Sequence, residues 1–329
     1  MRLKRVKAER KGFVVVVVLC VVIMLTVLLL GFNHKSRANL RTIDEFRKSA
    51  EALNCARAGL NIAISAIKAT GDIYTNKKLL DLLSGENMFP VGNGDCLITV
   101  TEENGKLNVN LLKDKNGRIN RTSIDQLLRL IDLLNREHRD DSHIGYGLVP
   151  SIIDWTDSDD QVTCLPFIKH ENLGAESDYY ADLDPPYQSR NSSLDTTEEL
   201  LLVKGVTPQV FDRIREYVTV KGDGKVNINC ASKLVIESLS ERMDPALAKM
   251  IVDRRKIKPF GSIAELQDVP GMIDSIYYKI KETATVGPTE QYYHVTSQGN
   301  VDRISRIAAA ILKRNMKTKN VDVILYKEL

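Results

Sequence analysis

The sequence predicts an α+β fold: one long N-terminal helix packed on a small antiparallel sheet, with a large, mainly helical domain inserted between the strands. Three observations carry this expectation. An uncharged run from Phe13 to Phe32 is followed by apolar residues at helical spacing as far as Ile67. Strand-like alternation appears in CLITVTEENGKLNVNLL, residues 96–112, and again from Tyr292 to the C-terminus. Between these lie helical patterns such as SIDQLLRLIDLL and KLVIESL, separated by polar loops rich in Asp, Pro and Ser.

The apolar run comes first. Twenty residues at helical rise span about 30 Å, the thickness of a bilayer's hydrocarbon core. The run continues through Leu28, Leu29 and Leu30 into Gly31 without the short core and small-residue end of a cleaved secretory signal, which predicts a retained single-pass anchor. Arg2, Lys4, Arg5, Lys7, Arg10 and Lys11 precede it against Glu9 alone. That charge excess places the N-terminus in the cytoplasm and everything after Gly31 outside, which in a bacterium is the periplasm. Of the five cysteines, Cys20 lies in the anchor, and a disulfide is expected among Cys96, Cys164 and Cys230 in that oxidising compartment.

Beyond a polar break at residues 33–39, apolar residues recur at Ile43, Phe46, Ala50, Leu53, Leu60, Ile64 and Ile67, one face of a helix that stops near Gly71. Ala52, Cys55, Gly59, Ala63 and Ala66 form a second face of small residues, open to close approach by another backbone. The first strand region is read as a hairpin turning at Asn104-Gly105, and the last as strands joined around Gln298-Gly299-Asn300.

The 329 residues carry a net charge of only +3, so bulk electrostatics name no partner. The five histidines, His34, His138, His143, His170 and His294, show no metal spacing. There is no Gly-x-Ser-x-Gly elbow and no phosphate-binding glycine loop, so no enzymatic activity is expected.

Asp154, Asp157, Asp159 and Asp160 crowd one short loop, and Glu171, Glu176, Asp178, Asp182 and Asp184 follow. Carboxylates at this density repel one another unless a cation sits among them, and an oxygen-only donor set suits Ca²⁺. Gly is missing at the sixth position and Glu at the twelfth, so this is not an EF-hand, and on its own the stretch reads equally as a solvated acidic loop. The single tryptophan, Trp155, is expected as a core anchor beneath it, with Tyr179, Tyr180 and Tyr187 pinning the loop.

Two resemblances sharpen these readings. The basic leader ending in Gly12, the aromatic Phe13, the apolar run and the amphipathic continuation resemble a type IV pilin-like N-terminus. That resemblance implies cleavage between Gly12 and Phe13 by a prepilin peptidase and methylation of the new terminus. Most such chains have Glu at the fifth mature position, where this one has Val17. A carboxylate in a bilayer persists only with a partner, and a subunit with nothing above it has none to neutralise.

The second concerns the order Asp154-Trp-x-Asp157-x-Asp159, Gly174-Ala-Glu176-x-x-Tyr179-Tyr180, Pro185-Pro-Tyr187, Asn191, Glu199-Leu-x-x-Val203-x-Gly205-Val-Thr207 and Asn227-x-Asn229-x-Ala231. It resembles the protein K family of type II secretion systems, the large minor pseudopilins, in which Glu is likewise absent from mature position five. The resemblance implies a tip subunit that starts a pseudopilus and helps export folded proteins across the outer membrane. Its implied partners are the I- and J-type minor pseudopilins, the fibre and the inner-membrane platform. It also implies structural Ca²⁺ in the insertion, held first by Asp157, Asp159 and Glu176, with Asp154, Asp182 and Asn191 as further ligands.

The corresponding division is a leader over 1–12, the long helix over 13–70, a sheet domain over 71–110 and 284–329, and the insertion over 111–283. A type IV pilus tip shares the N-terminal logic. A third reading, a DNA-uptake receptor, rests on helix-hairpin-helix-like stretches around Gly205 and Gly271 with Arg254, Arg255, Lys256 and Lys258 nearby. The single glycine in each hairpin and the acidic stretch argue against it, and no nucleic-acid partner is expected.

Overall fold

The structure, a computed structural model, describes residues 6–69, 84–114, 117–137 and 143–329. Gly71 and His138 lie outside the described residues. One helix, α1 (Val6–Ala69), runs without interruption through the polar stretch at 33–39. Its 64 residues measure about 96 Å at helical rise. The apolar segment from Phe13 to Phe32 is exposed throughout, and the second half lies on a five-stranded sheet.

The sheet contains β1 (Ser84–Val91), β2 (Gly94–Glu102), β7 (Glu290–Val301), β8 (Ile304–Asn315) and β9 (Val321–Glu328), in that order and antiparallel throughout. On β7 every second residue is buried, Tyr293, Val295, Ser297 and Val301 among them, which is the alternation expected of a strand with one covered face. Ala52 and Cys55 lie against Val301, Gly59 against Ser297 and Cys96, and Leu60, Ala63 and Ile67 against Ile98 and Tyr293. The small-residue face of α1 therefore meets the chain's own sheet. Its Arg57 also pairs with Glu328 at 2.8 Å and its Lys48 with Asp302 at 2.9 Å.

Two turns differ from the expectation. The first hairpin is β1–β2, turning at Gly92-Asn93, and residues 103–105 form a short 3₁₀ turn. Asn104 is taken from a turn tip because it brackets β7: its Nδ2 donates to the Glu290 carbonyl at 3.0 Å and its Oδ1 accepts from the Tyr292 N–H at 2.7 Å. At the C-terminus, Gln298-Gly299-Asn300 lies inside β7 and the chain turns at Asp302-Arg303, where Asp302 takes φ 55°. Both misplaced turns carry residues that favour turns, but tertiary partners claim them for the sheet.

The insertion leaves the sheet at Glu102 and returns at Glu290, from neighbouring strands whose register pairs Glu102 with Tyr293. It has its own hydrophobic core, continuous from Leu107 to Ala284. Its helices are α2 (Arg121–Glu137), α3 (Leu148–Thr156), α4 (Ser177–Ala181), α5 (Pro208–Ile214), α6 (Lys233–Ser238), α7 (Pro245–Ile257) and α8 (Asp274–Thr283). Two short parallel pairs, β3 (Leu107–Asn108) with β4 (Val218–Thr219) and β5 (Val226–Asn227) with β6 (Ala284–Thr285), close it near the sheet. Asn227 Nδ2 donates to Glu102 Oε1 at 2.9 Å across that junction. Because α1 runs from Val301 toward Tyr293, the insertion sits at the end of the sheet farthest from the apolar half of the helix.

The helix–sheet contact depends on two glycines. A Cβ on Gly299 would overlap the Ala52 carbonyl oxygen and the Ala56 nitrogen, both backbone atoms, and one on Gly59 would overlap Ser297 Oγ and meet Cys96 Sγ at 2.8 Å. Backbone cannot swing aside as a side chain can, so Gly299→Ala should destabilise the chain by about 1–3 kcal/mol. Gly287→Ala, which meets nothing within 4 Å, should stay within about 0.5 kcal/mol of the parent. Thermal unfolding of the full chain in detergent micelles compares the two.

Candidate metal centre

Helix α3 is apolar enough to be buried along its whole length except its last residue, and that burial carries Asp154 with it. Trp155 follows as the expected core anchor, 3% exposed, its ring 4.9 Å edge-on from Tyr180, with Tyr187 stacked on Tyr180 at 5.3 Å. Asp157 caps the helix, its N–H donating to the Ile153 carbonyl at 3.0 Å. The chain then folds back on itself. Gly174 N–H donates to Thr163 O at 3.0 Å and Leu165 N–H to Asn172 O at 2.9 Å, which brings Glu176, the residue preceding α4, over the end of α3.

Gly174 makes this return possible. A Cβ there would overlap Asp154 Oδ2 and lie 2.6 Å from the Pro150 carbonyl oxygen. Asp154, Asp157 and Glu176 thereby converge, each offering a carboxylate oxygen within 4.8 Å of the others.

The hydrogen bonding divides the oxygens of the two aspartates into two sets. Asp154 Oδ1 accepts from the Thr163 N–H at 2.9 Å, and Asp157 Oδ2 accepts from Lys113 Nζ. Asp154 Oδ2, Asp157 Oδ1 and both oxygens of Glu176 are buried without a hydrogen-bond partner. Leaving buried acceptors unpaired is costly, and leaving several around one point is more so, unless a cation is their partner. All are hard oxygens, with no His or Cys among them, and the donor set fits a Ca²⁺-like ion.

The electrostatics point the same way. Burial, with the charges of Asp154 and Asp157 beside it, pushes the Glu176 carboxyl up to about 8. Burial also raises Asp154 and Asp157, against the Thr163 hydrogen bonds at the first and Lys113 at the second.

The remaining acidic candidates are arranged around this group. Asp159 is exposed and its Oδ1 accepts from the Gln161 N–H at 3.0 Å. Asp182 is exposed at the end of α4, where its N–H caps the Tyr180 carbonyl. Asn191, at φ 49°, donates from Nδ2 to Asp160 at 3.2 Å and accepts from Ser189 at 2.6 Å. Of the six residues expected as ligands, Asp154, Asp157 and Glu176 are brought together; the charges of Asp159 and Asp160 act on Glu176 from outside. Lys113 was not singled out by sequence, because it lies 44 residues before its partner and outside the acidic stretch.

The other sequence-level sites resolve differently. All five cysteines are free. Cys96 is buried against Gly59 of α1, Cys230 lies beside Gly105, and Cys164 is exposed on the insertion, so the expected disulfide among the three does not form. Gly12 and Phe13 are consecutive within α1, with Phe13 exposed. Gly205 and Gly271 turn their hairpins at φ 86° and 89°, and three of the four nearby basic residues have a neighbour of opposite charge or a carbonyl partner within the chain. Arg254 pairs with Glu265 at 3.8 Å, Arg255 donates to the Ile228 carbonyl and Lys256 pairs with Asp253 at 3.6 Å.

Residues 105–223 and 226–287 each match a family described as "Type II secretion system (T2SS), protein K", together more than half of the chain. The chain belongs to the type II secretion system protein K family. Similar curated proteins include the type II secretion system protein K of Aeromonas hydrophila, 29% identical over 161 residues, which are 43% of this chain and 46% of that protein. That of Pectobacterium carotovorum subsp. carotovorum is 24% identical over 188 residues, 54% of each chain. The chain thus spans about half the length of the curated relatives it matches. A chain of the crystal structure of the GspK-GspI-GspJ complex from the enterotoxigenic Escherichia coli Type 2 Secretion System shares the fold, with a TM-score of 0.67 and 18% identity over 88% of this chain and 99% of that one. This protein K family member therefore has the α+β architecture its sequence predicts.

The raised Glu176 carboxyl has a consequence for stability. The folded chain holds the Glu176 proton up to about 8, whereas the unfolded chain releases it near the ordinary 4.5. Between these values the folded state binds more protons, so its stability falls as pH rises through that window. In chelator, the thermal midpoint of the full chain should drop between about pH 5 and pH 8, and Glu176→Gln should remove most of the difference.

Proposed function

We propose that this chain is the minor pseudopilin that ends a type II secretion pseudopilus, starting its assembly and helping to drive folded proteins through the outer membrane. One observation carries the reading: the bulky insertion lies at the end of the sheet farthest from the apolar half of α1. With that half in the inner membrane or within a helical fibre, the insertion faces away from it. There it widens the end of the head and opposes the stacking of an identical subunit above. Val17, in place of a membrane carboxylate, suits the same position, since a terminal subunit has no ammonium above it to neutralise.

The partners follow from this reading: I- and J-type minor pseudopilins along α1 and the sheet, the prepilin peptidase at Gly12-Phe13, and the inner-membrane platform. The named complex of the structurally similar chain supports the first of these. The basic leader sets the N-terminus in the cytoplasm and the head in the periplasm.

Within the insertion, Asp154 Oδ2, Asp157 Oδ1 and the Glu176 carboxylate would hold Ca²⁺, supported by the unpartnered state of those oxygens. Its contribution is structural charge neutralisation where the returning chain meets the end of α3.

The first experiment is the intact mass and N-terminal sequence of the protein extracted from its native membrane. A chain starting at methylated Phe13 is expected, and an uncut leader would overturn its place in a fibre. Counting copies in isolated fibres tests the terminal position, with many copies along the length as the contrary result. For the metal, Ca²⁺ at 100 times its dissociation constant should stabilise the full chain by about 2.7 kcal/mol over EDTA. Identical melts in the two conditions would remove calcium from the account.

A further inference from the structure

Among the described residues, Lys113 is the one cation that hydrogen-bonds any of the three converging carboxylates, and it bonds Asp157. Resting on the calcium reading above, we infer that Lys113 is the selectivity residue of the centre, fixing Asp157 as a one-oxygen ligand and setting the charge of the site for a divalent ion.

The argument starts from which oxygen is used. Lys113 Nζ engages Asp157 Oδ2, whereas the unpartnered oxygen is Oδ1. The ammonium therefore does not occupy the side of Asp157 that an ion would use, and it can stay in place when one binds. Asp154 is arranged in the same way, with Oδ1 tied to the Thr163 N–H and Oδ2 free. Each aspartate is thus held by one oxygen and offers the other, and only Glu176 has both oxygens available.

The charges then sum to a definite value. Once an ion has displaced the Glu176 proton, the three ionised carboxylates carry a formal −3, and Lys113 reduces it to −2. A divalent cation neutralises that group, while a trivalent one leaves an excess positive charge in a buried site, where uncompensated charge is expensive. Lys113 also repels any bound ion in proportion to the ion's own charge, so it weakens a trivalent ion more than a divalent one. A lysine suits this role because it is a compact point charge with a single anchoring atom. It is drawn from the segment following β3 rather than from the acidic loop.

The test is isothermal titration calorimetry of the full chain in detergent micelles, with Ca²⁺ and with Tb³⁺, comparing the ratio of the two affinities. Lys113→Met should tighten both ions and shift the ratio toward Tb³⁺ by about tenfold or more, whereas Lys113→Arg, which keeps the charge, should leave it near the parent value. Lys113→Gln removes the charge but can still donate to Asp157, and it serves the same comparison if the methionine variant does not fold. An unchanged ratio in the neutral variants would overturn the role of Lys113 while leaving calcium in place. Parent protein that takes up neither ion would overturn the calcium reading, and the inference with it.

Discussion

A helix can lie this close to a sheet only where one of the two facing residues has no side chain, and that constraint organises this molecule. Gly59 on α1 and Gly299 on β7 mark the contact, with Ala52, Cys55, Ala56 and Ala63 completing the small-residue track. The contact fixes the direction of the helix along β7, and hence which end of the sheet is near the apolar segment and which is far from it. The place of the insertion follows from that polarity, since Glu102 and Glu290 both lie at the far end. The long helix is thus exposed over its apolar half and clamped over the other half by its own head.

The acidic centre is the counterpart of this packing within the insertion. The apolar sequence of α3 buries Asp154 because the helix has no polar face on which to display it. Gly174 lets the returning chain come close enough to bring Glu176 to the same point. Two backbone glycine contacts thus perform similar work, one joining helix to sheet and the other joining a loop to a helix end. In the second the result is a set of carboxylate oxygens removed from water, whose mutual repulsion is relieved only in part by Lys113 and Thr163.

The two helix-hairpin-helix-like stretches also take their roles in the fold from their neighbours. The hairpins around Gly205 and Gly271 are present with the backbone their sequences require. Arg255 donates to the Ile228 carbonyl, Arg254 and Lys256 lie beside Glu265 and Asp253, and the apolar residues of both hairpins pack into the insertion core.

By itself the sequence determined what local chemistry controls. The apolar run, the helical continuation of α1, the helices around residues 123–134 and 233–239, the burial of Trp155 and the oxygen-rich character of the acidic stretch all follow from periodicity and composition, whereas Ile43 and Phe46 of the expected apolar face of α1 are exposed and its small-residue face is the one buried. Only the tertiary structure decided which residues meet. It drew Asn104 and Gln298-Gly299-Asn300 out of their turn roles into the sheet, and it kept Cys96, Cys164 and Cys230 apart. It also chose Asp154, Asp157 and Glu176 from a crowd of similar carboxylates, and supplied Lys113 from 44 residues upstream of Asp157. The reason is that spacing along a chain specifies a helix face or a strand face, whereas convergence depends on where the backbone is permitted to fold back. Here that permission lies in the close approaches at Gly59, Gly299 and Gly174.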